Sequence, residues 1–327
     1  MTVLVTGGAG YIGSHMVWQL LDAGEQVVVL DNLSTGFRWA VPEQVPLVIG
    51  DFGDAELVSR VIAEHKIESI IHFAAKLIVP ESVSDPLGYY LNNTAKARNL
   101  IECAVKGGVK KFIFSSTAAV YGNVGSEPVK EDVPVYPLSP YGRSKLMVEW
   151  MLEDTAKAHD FSFVVLRYFN VAGADPQGRV GQNTRDATLL IKVAVEVAIG
   201  KRPQLMVFGT DYDTRDGSGI RDYIHVTDLT AAHLDALNHL RAGGTSLIAN
   251  CGYGKGYSVL EVVNVVKKVS GVDFKVVLSP RRPGDPAAVV ADATRARAIL
   301  KWVPKYDNLD EIVTQALSWE RRQHNRN

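Results

Sequence analysis

Short, uninterrupted apolar runs recur through the first half of this chain, and they restrict its fold more than any other feature. Val3-Leu4-Val5 leads into Gly7-Gly8, and an amphipathic stretch follows over residues 11–23. Residues 26–30, 46–49, 68–73, 111–115 and 161–167 repeat the apolar type, with helical patterns at 55–65 and 93–105 between them. A strand of four to six residues with no polar alternation has no face for water, so it must be covered on both sides, as in a parallel sheet sandwiched by helices. The alternation of such strands with helices predicts the α/β class, a doubly wound parallel sheet. Beyond Asn170 the rhythm changes: Gly, Asp and Pro gather at 173–182 and 209–219, and helical patterns at 259–270 and 309–323 stand apart. The expected division is a first unit over residues 1–170 and a smaller C-terminal α/β region over 171–327, with parts of 225–250 returning to the first core.

Composition narrows the function classes. Among 327 residues, 35 Lys and Arg face 36 Asp and Glu, a net charge of −1 that lacks the basic excess nucleic-acid binding requires. No apolar run approaches the ~18 residues of a membrane span. The residues after Met1 enter a strand pattern at once, not a secretory leader, and Cys103 and Cys251 lie far apart with no metal-ligand spacing around them. The expectation is an enzyme of the cytoplasm acting on a small molecule, with reduced thiols and no metal.

Gly7-Gly8-Ala9-Gly10-Tyr11-Ile12-Gly13 falls between the first strand and the first helix. Gly7, Gly10 and Gly13 permit a tight turn and let the backbone approach a pyrophosphate at the helix N-terminus. A glycine-rich turn alone is commonly a plain βα turn, and this spacing is G-x-x-G-x-x-G, not G-x-G-x-x-G. Its context carries the reading, because Asp31 ends the next strand about twenty residues on, where a carboxylate binds a ribose 2′-hydroxyl. That carboxylate repels a 2′-phosphate, so NAD is preferred to NADP. Asp51, after the third strand, is either an adenine neighbour or a turn residue.

Tyr141 and Lys145 stand four apart and project from one helix face. An ammonium beside a phenol, helped by an oxidised nicotinamide, lowers the phenol pKa towards neutrality and makes it a base. Most Y-x-x-x-K spacings are solvated helix faces. Here Ser115-Ser116-Thr117 closes the preceding strand at the carboxyl edge where such sheets bind ligands, offering a hydroxyl to the same substrate oxygen.

In these motifs the chain resembles the extended short-chain dehydrogenase/reductase family, in its UDP-hexose 4-epimerase branch, nearly end to end. The resemblance rests on residues 6–13, Leu30-Asp31-Asn32-Leu33, Ile71-His72-Phe73-Ala74-Ala75, residues 114–122, 139–149 and 166–170, Gly219-Ile220-Arg221-Asp222-Tyr223-Ile224-His225-Val226 and Ser279-Pro280-Arg281-Arg282-Pro283-Gly284-Asp285. The last two segments are far more specific than the glycine motif. The resemblance implies a Rossmann-like NAD-binding domain over 1–170 and a UDP-sugar-binding region over 171–327. It implies Thr117, Tyr141 and Lys145 as the catalytic group. It implies cofactor contacts from Gly7, Gly10, Tyr11, Ile12, Gly13, Asp31, Asn32, Asp51, Phe52, Phe73, Ala74, Asn93 and Tyr168 as well as the catalytic three. Asn170, Phe208, Arg221, Tyr223, Arg282 and Asp285 would face the UDP-sugar with Thr117 and Tyr141. The implied reaction is interconversion of UDP-glucose and UDP-galactose through transient oxidation at C4, in a homodimer formed by helices near 87–105 and 145–159.

Three positions depart from the family pattern. Leu77 aligns with a lysine that contacts the cofactor, Lys76 standing beside it. Leu189 aligns with a substrate-binding asparagine. Val289 aligns with the gate for a bulky 2-N-acetyl group, where a tyrosine narrows the pocket, so turnover of UDP-N-acetylhexosamines is expected as well. An epimerase of a UDP-pentose or UDP-uronic acid is chemically close. A nucleotide-sugar dehydratase is less consistent, because Ala118-Ala119 follow Thr117 where elimination uses an Asp-Glu pair. A non-catalytic NAD-sensing module has no use for Thr117, Tyr141 and Lys145 together.

Overall fold

In the computed structural model, seven parallel strands form the main sheet. The structure describes every residue except 126, 185, 186, 283, 284 and 325–327, so Pro283 and Gly284 of the Arg-Arg-Pro-Gly-Asp segment lie outside the described residues. The strands are β1 (Thr2–Thr6), β2 (Gln26–Asp31), β3 (Leu47–Ile49), β4 (Ile67–His72), β5 (Lys111–Thr117), β6 (Ser162–Tyr168), β7 (Asn170–Ala172), β8 (Leu205–Phe208), β9 (Ile220–His225), β10 (Leu247–Cys251), β11 (Gly256–Ser258), β12 (Val276–Ser279) and β13 (Ala288–Val289). The helices are α1 (Tyr11–Asp22), α2 (Ala55–Glu64), α3 (Val79–Ser84), α4 (Pro86–Tyr89), α5 (Lys96–Lys106), α6 (Pro140–Ala158), α7 (Leu190–Ala198), α8 (Val226–Arg241), α9 (Val259–Ser270) and α10 (Leu309–His324).

The main sheet runs β10-β6-β5-β4-β1-β2-β3, so its outermost strand comes from the second half of the chain. The apolar runs do what their pattern requires. Val3 and Val5 join Met16, Val17 and Leu20 on one side of the sheet, while Leu4 joins Val28, Phe112 and Val148 on the other. All nine side chains are buried, and each contributes about 1.5–3 kcal/mol relative to exposure. Helix α8 packs against α1 and closes one face. The later strands form two small sheets: β11-β9-β13 with β7 beside β9, and β12 paired with β8.

The expected helix over 93–105 is built differently. Helix α4, a wide π-turn at Tyr90–Ala95 and α5 run end to end. The widened turn buries Asn93, whose side-chain oxygen accepts from the Lys76 N–H at 2.9 Å and whose amide donates to the Lys76 carbonyl at 3.0 Å. No described helix is long and apolar enough to cross a membrane.

Candidate active site

The expected cofactor residues lie at the carboxyl ends of adjacent strands. Gly7 follows β1 with φ of +74°, and a Cβ there would stand 2.7 Å from the Ala74 nitrogen. A Cβ on Gly13 would stand 2.1 Å from the Gly7 carbonyl oxygen, so the first turn of α1 can press against the loop only without a side chain. Gly10 begins α1 with neither a side-chain cap nor an acidic residue in the first turn, which leaves the helix's first N–H groups for an anion. Asp31, buried at the end of β2, accepts from the Ala9 N–H at 2.9 Å and the Leu33 N–H at 2.8 Å. It thereby fixes the glycine loop to β2. This cradle fits a dinucleotide.

The neighbours are arranged around it. Ile12 is partly buried against the core, and Asn32 accepts from the Ser34 N–H at 3.0 Å. The Phe73 and Ala74 N–H groups donate to the Thr6 carbonyl. Phe52 packs on His72 with ring centroids 4.9 Å apart. Asp51 pairs with Lys96 and accepts from the Gly53 N–H at 2.8 Å, a turn as much as a binding position. The Tyr11 hydroxyl donates to the Gly173 carbonyl at 2.7 Å, tying the loop to the second half of the chain.

The pleat of β5 separates the Ser-Ser-Thr hydroxyls. Ser115 meets the Tyr168 hydroxyl, Ser116 turns to the opposite face and donates to Glu149, and Thr117 lies beside Tyr141. Of the three, Thr117 is the one that reaches the phenol. Ser139 caps α6 on the Gly142 N–H, and Pro140 begins the helix. Tyr141 is thus presented by the first turn and Lys145 by the second. Lys145 is 2% exposed, donates to the Ser115 carbonyl at 2.8 Å and lies 4.7 Å over the Phe114 ring. Burial pushes its pKa down to about 7, while Glu149 on the same helix opposes that fall.

The expected drop of the Tyr141 pKa is not a property of the chain alone. Burial raises it, and Thr117 works only partly against that rise. Lys145 spends its bond on Ser115. The cofactor's positive ring is the part of that expectation the protein does not itself supply.

The expected substrate residues form pairs across the small sheets. Asn170 lies in register with Tyr223, and Arg221 with Val289. The Arg282 guanidinium sits 3.8 Å over the Phe208 ring, and the Asp285 N–H donates to the Arg282 carbonyl. Arg221 donates to the Ile220 carbonyl at 2.8 Å. Lys76 is turned to Glu81 and Asp85, and Leu77 and Leu189 are exposed. Sequence reasoning did not single out Arg167 or Tyr121. The signal lay in the strand pattern itself, since Arg167 interrupts an otherwise apolar strand and is 4% exposed.

The model of the NAD dependent epimerase/dehydratase family matches residues 3–252. The chain belongs to that family. Among relatives within it, the UDP-glucose 4-epimerase of Azospirillum brasilense is 57% identical over 319 residues, covering 98% of this chain and 92% of that protein. The structure of the UDP-glucose 4-epimerase from Bifidobacterium longum in complex with NAD+ and UDP superposes with a TM-score of 0.94 at 38% identity, covering 99% of both chains. That of the UDP-Glc/GlcNAc 4-epimerase from Campylobacter jejuni gives 0.86 at 49% identity, covering 98% of this chain and 99% of that one. Family membership places this protein among the NAD-dependent epimerases and dehydratases.

Proposed function

We propose that the chain interconverts UDP-glucose and UDP-galactose, with Tyr141 as the proton-transfer group. The observation that carries this reading is a buried phenol with Thr117 beside it and a buried lysine one turn along the same helix, at the carboxyl edge of a sheet whose first loop fits a dinucleotide. NAD, when bound, supplies the hydride acceptor at the sugar C4 and later the donor. The protein's residues handle the rest. Tyr141 takes the O4 proton as C4 is oxidised and gives it back as C4 is reduced. Thr117 holds O4 and favours the phenolate. Lys145 lends positive charge beside the phenol and meets the cofactor ribose, while Asp31 bonds the adenosine ribose hydroxyls. Arg221 and Arg282 pair with the diphosphate, and Phe208 supports the uracil. Asn170, Tyr223 and Asp285 complete the seat. Anchoring the nucleotide while leaving the hexose loosely held lets the 4-keto sugar turn over between the two half-reactions.

Val289, a small side chain beside Arg221, supports acceptance of UDP-N-acetylhexosamines, as does the likeness to the Campylobacter jejuni enzyme. The division at residue 170 separates the cofactor unit from the substrate region, with β10 returned to the first sheet. Homodimer formation is supported by Val83, Leu87, Leu91 and Trp150, exposed at 65%, 78%, 60% and 51% on elements that pack around α6. A cytoplasmic location is supported by the buried free thiols Cys103 and Cys251.

Tyr141→Phe tests the reading. Turnover of UDP-galactose should fall about 10²–10⁴-fold with bound NAD retained. Activity surviving in that variant would remove Tyr141 from its role. The same assay with UDP-GlcNAc settles the Val289 proposal, and absence of turnover beside brisk UDP-galactose conversion would sink it.

A further inference from the structure

The epimerisation chemistry leaves Glu149, a buried carboxylate on the helix of Tyr141 and Lys145, without a task. Glu149 lies four residues beyond Lys145 on α6, as Lys145 lies four beyond Tyr141, so the three share one helix face. Both Lys145 and Glu149 are almost completely buried. Opposite charges at this spacing attract strongly where water is excluded. A direct pair would draw the ammonium along the helix, away from Tyr141.

The structure pairs Glu149 otherwise. Arg167 Nε donates to both carboxylate oxygens at 3.1 Å, its Nη2 donates to Oε2 at 2.5 Å, and the Ser116 hydroxyl donates to Oε1. Arg167 is itself fixed. Its Nη1 donates to the Tyr121 hydroxyl at 3.1 Å, and its guanidinium lies 5.0 Å over the Tyr121 ring. Tyr121 in turn donates to Asn250 Oδ1 at 2.6 Å, in β10. Lys145 is left with the Ser115 carbonyl, so two of its three N–H donors have no partner among the described residues.

We propose that Arg167 is a positioning residue: by forking the Glu149 carboxylate it keeps that charge off Lys145, which stays on Ser115 with donors free beside Tyr141. This rests on reading Tyr141 and Lys145 as the reacting pair. Two features give the arrangement its specificity. A forked guanidinium satisfies both carboxylate oxygens in a fixed plane, which an ammonium cannot do. The Tyr121–Asn250 extension holds the guanidinium from behind, so Glu149 cannot carry Arg167 towards Lys145.

Second-site suppression separates positioning from mere stabilisation. In Arg167→Met, Lys145 becomes the available cation for Glu149. The expected kcat per folded, NAD-loaded site falls about a hundredfold, the scale of a misplaced catalytic group, while KM for UDP-galactose changes by less than about threefold. Adding Glu149→Leu to Arg167→Met removes the competing charge and should bring kcat back to within about tenfold of the parent. An Arg167→Met enzyme within about threefold of the parent kcat, or a double variant as slow as the single one, overturns the proposal. If Arg167→Met fails to fold, Arg167→Lys takes its place, keeping a cation beside Glu149 without the fork. Its kcat should drop about tenfold and recover when Glu149→Gln is added. An unimpaired Arg167→Lys enzyme, or no recovery, also overturns the proposal. Tyr141→Phe is measured alongside. If it turns over at the parent rate, the underlying site reading fails; if it is inert while Arg167→Met stays active, only the positioning role fails.

Discussion

The carboxyl edge of the main sheet and the small sheets of the second half hold their polar residues in different ways. At the sheet edge, Asp31, Asn93, Thr117 and Lys145 are all less than 9% exposed, and each is locked to backbone groups. Across the small sheets, Arg282 rests on the Phe208 ring, Arg281 lies on Tyr212 and pairs with Asp211, and Arg221 donates to its neighbour's carbonyl. These guanidiniums are held by contacts that a polyanion can replace at little cost. The contrast matches the proposed chemistry. A cofactor that is regenerated in every cycle suits a rigid seat, whereas a substrate that enters, turns over and leaves suits adaptable cations.

The largest effect that can break this contrast comes from the rigid side. In Gly13→Ala the new methyl meets the Gly7 carbonyl, a backbone atom that no rotamer change can move aside. Overpacking of about 1–3 kcal/mol is directed into the cofactor loop. The purified variant should lack bound NAD, read by its release on denaturation, and should be inactive. A variant that keeps both NAD and activity contradicts the rigid-cradle account.

Arg282→Ala probes the adaptable side and should act more gently. Losing a charge-assisted contact of about 1.5–3 kcal/mol raises KM for UDP-galactose roughly ten- to a hundredfold. The melting temperature should not change, since the residue stacks on one ring and joins no ion pair among the described residues. A fall in stability instead of affinity would place Arg282 among the structural residues.

A third test concerns how far the two regions stand or fall together. Burial pushes His15, His225 and His233 down to about 4 and His72 to about 3. These imidazoles are neutral when folded, and an unfolded imidazole takes its proton near pH 6.5. The unfolded chain therefore binds more protons below pH 6.5, and stability drains away as pH falls from there towards about 4. Asp222, which burial raises to about 6, works in the opposite direction over much of that window. The net loss is on the order of 1 kcal/mol per histidine per pH unit, less the Asp222 contribution. His15 sits on α1 and His233 on α8, which pack together, so denaturant melts at pH 5 should show one cooperative transition at a lower midpoint. Two separated transitions would mean that the regions unfold independently.

Much of the first half was legible in sequence because burial on both faces leaves a plain mark: six apolar runs became six strands. The glycine loop, Asp31 and the Tyr141–Lys145 spacing were legible for the same local reason. The long-range partners were not. Nothing local says that Glu149 on α6 is answered by Arg167, eighteen residues away on β6, or that Asn250 returns from the second half to meet Tyr121. The π-turn that buries Asn93 escaped a 3.6-residue pattern because a widened turn breaks the periodicity it is read from. The lowered Tyr141 pKa is not legible in the chain alone, because the phenol is desolvated, Lys145 bonds a carbonyl, and the expectation includes the cofactor's positive ring.

The central claim is that C4 is oxidised and reduced again without exchange with water, on a nucleotide that stays bound. UDP-galactose deuterated at C4, incubated with the protein as purified and no added nicotinamide, tests this most directly. The expected product is UDP-glucose that retains the deuterium at C4. UDP-glucose without deuterium, or no product from NAD-loaded protein, would contradict it.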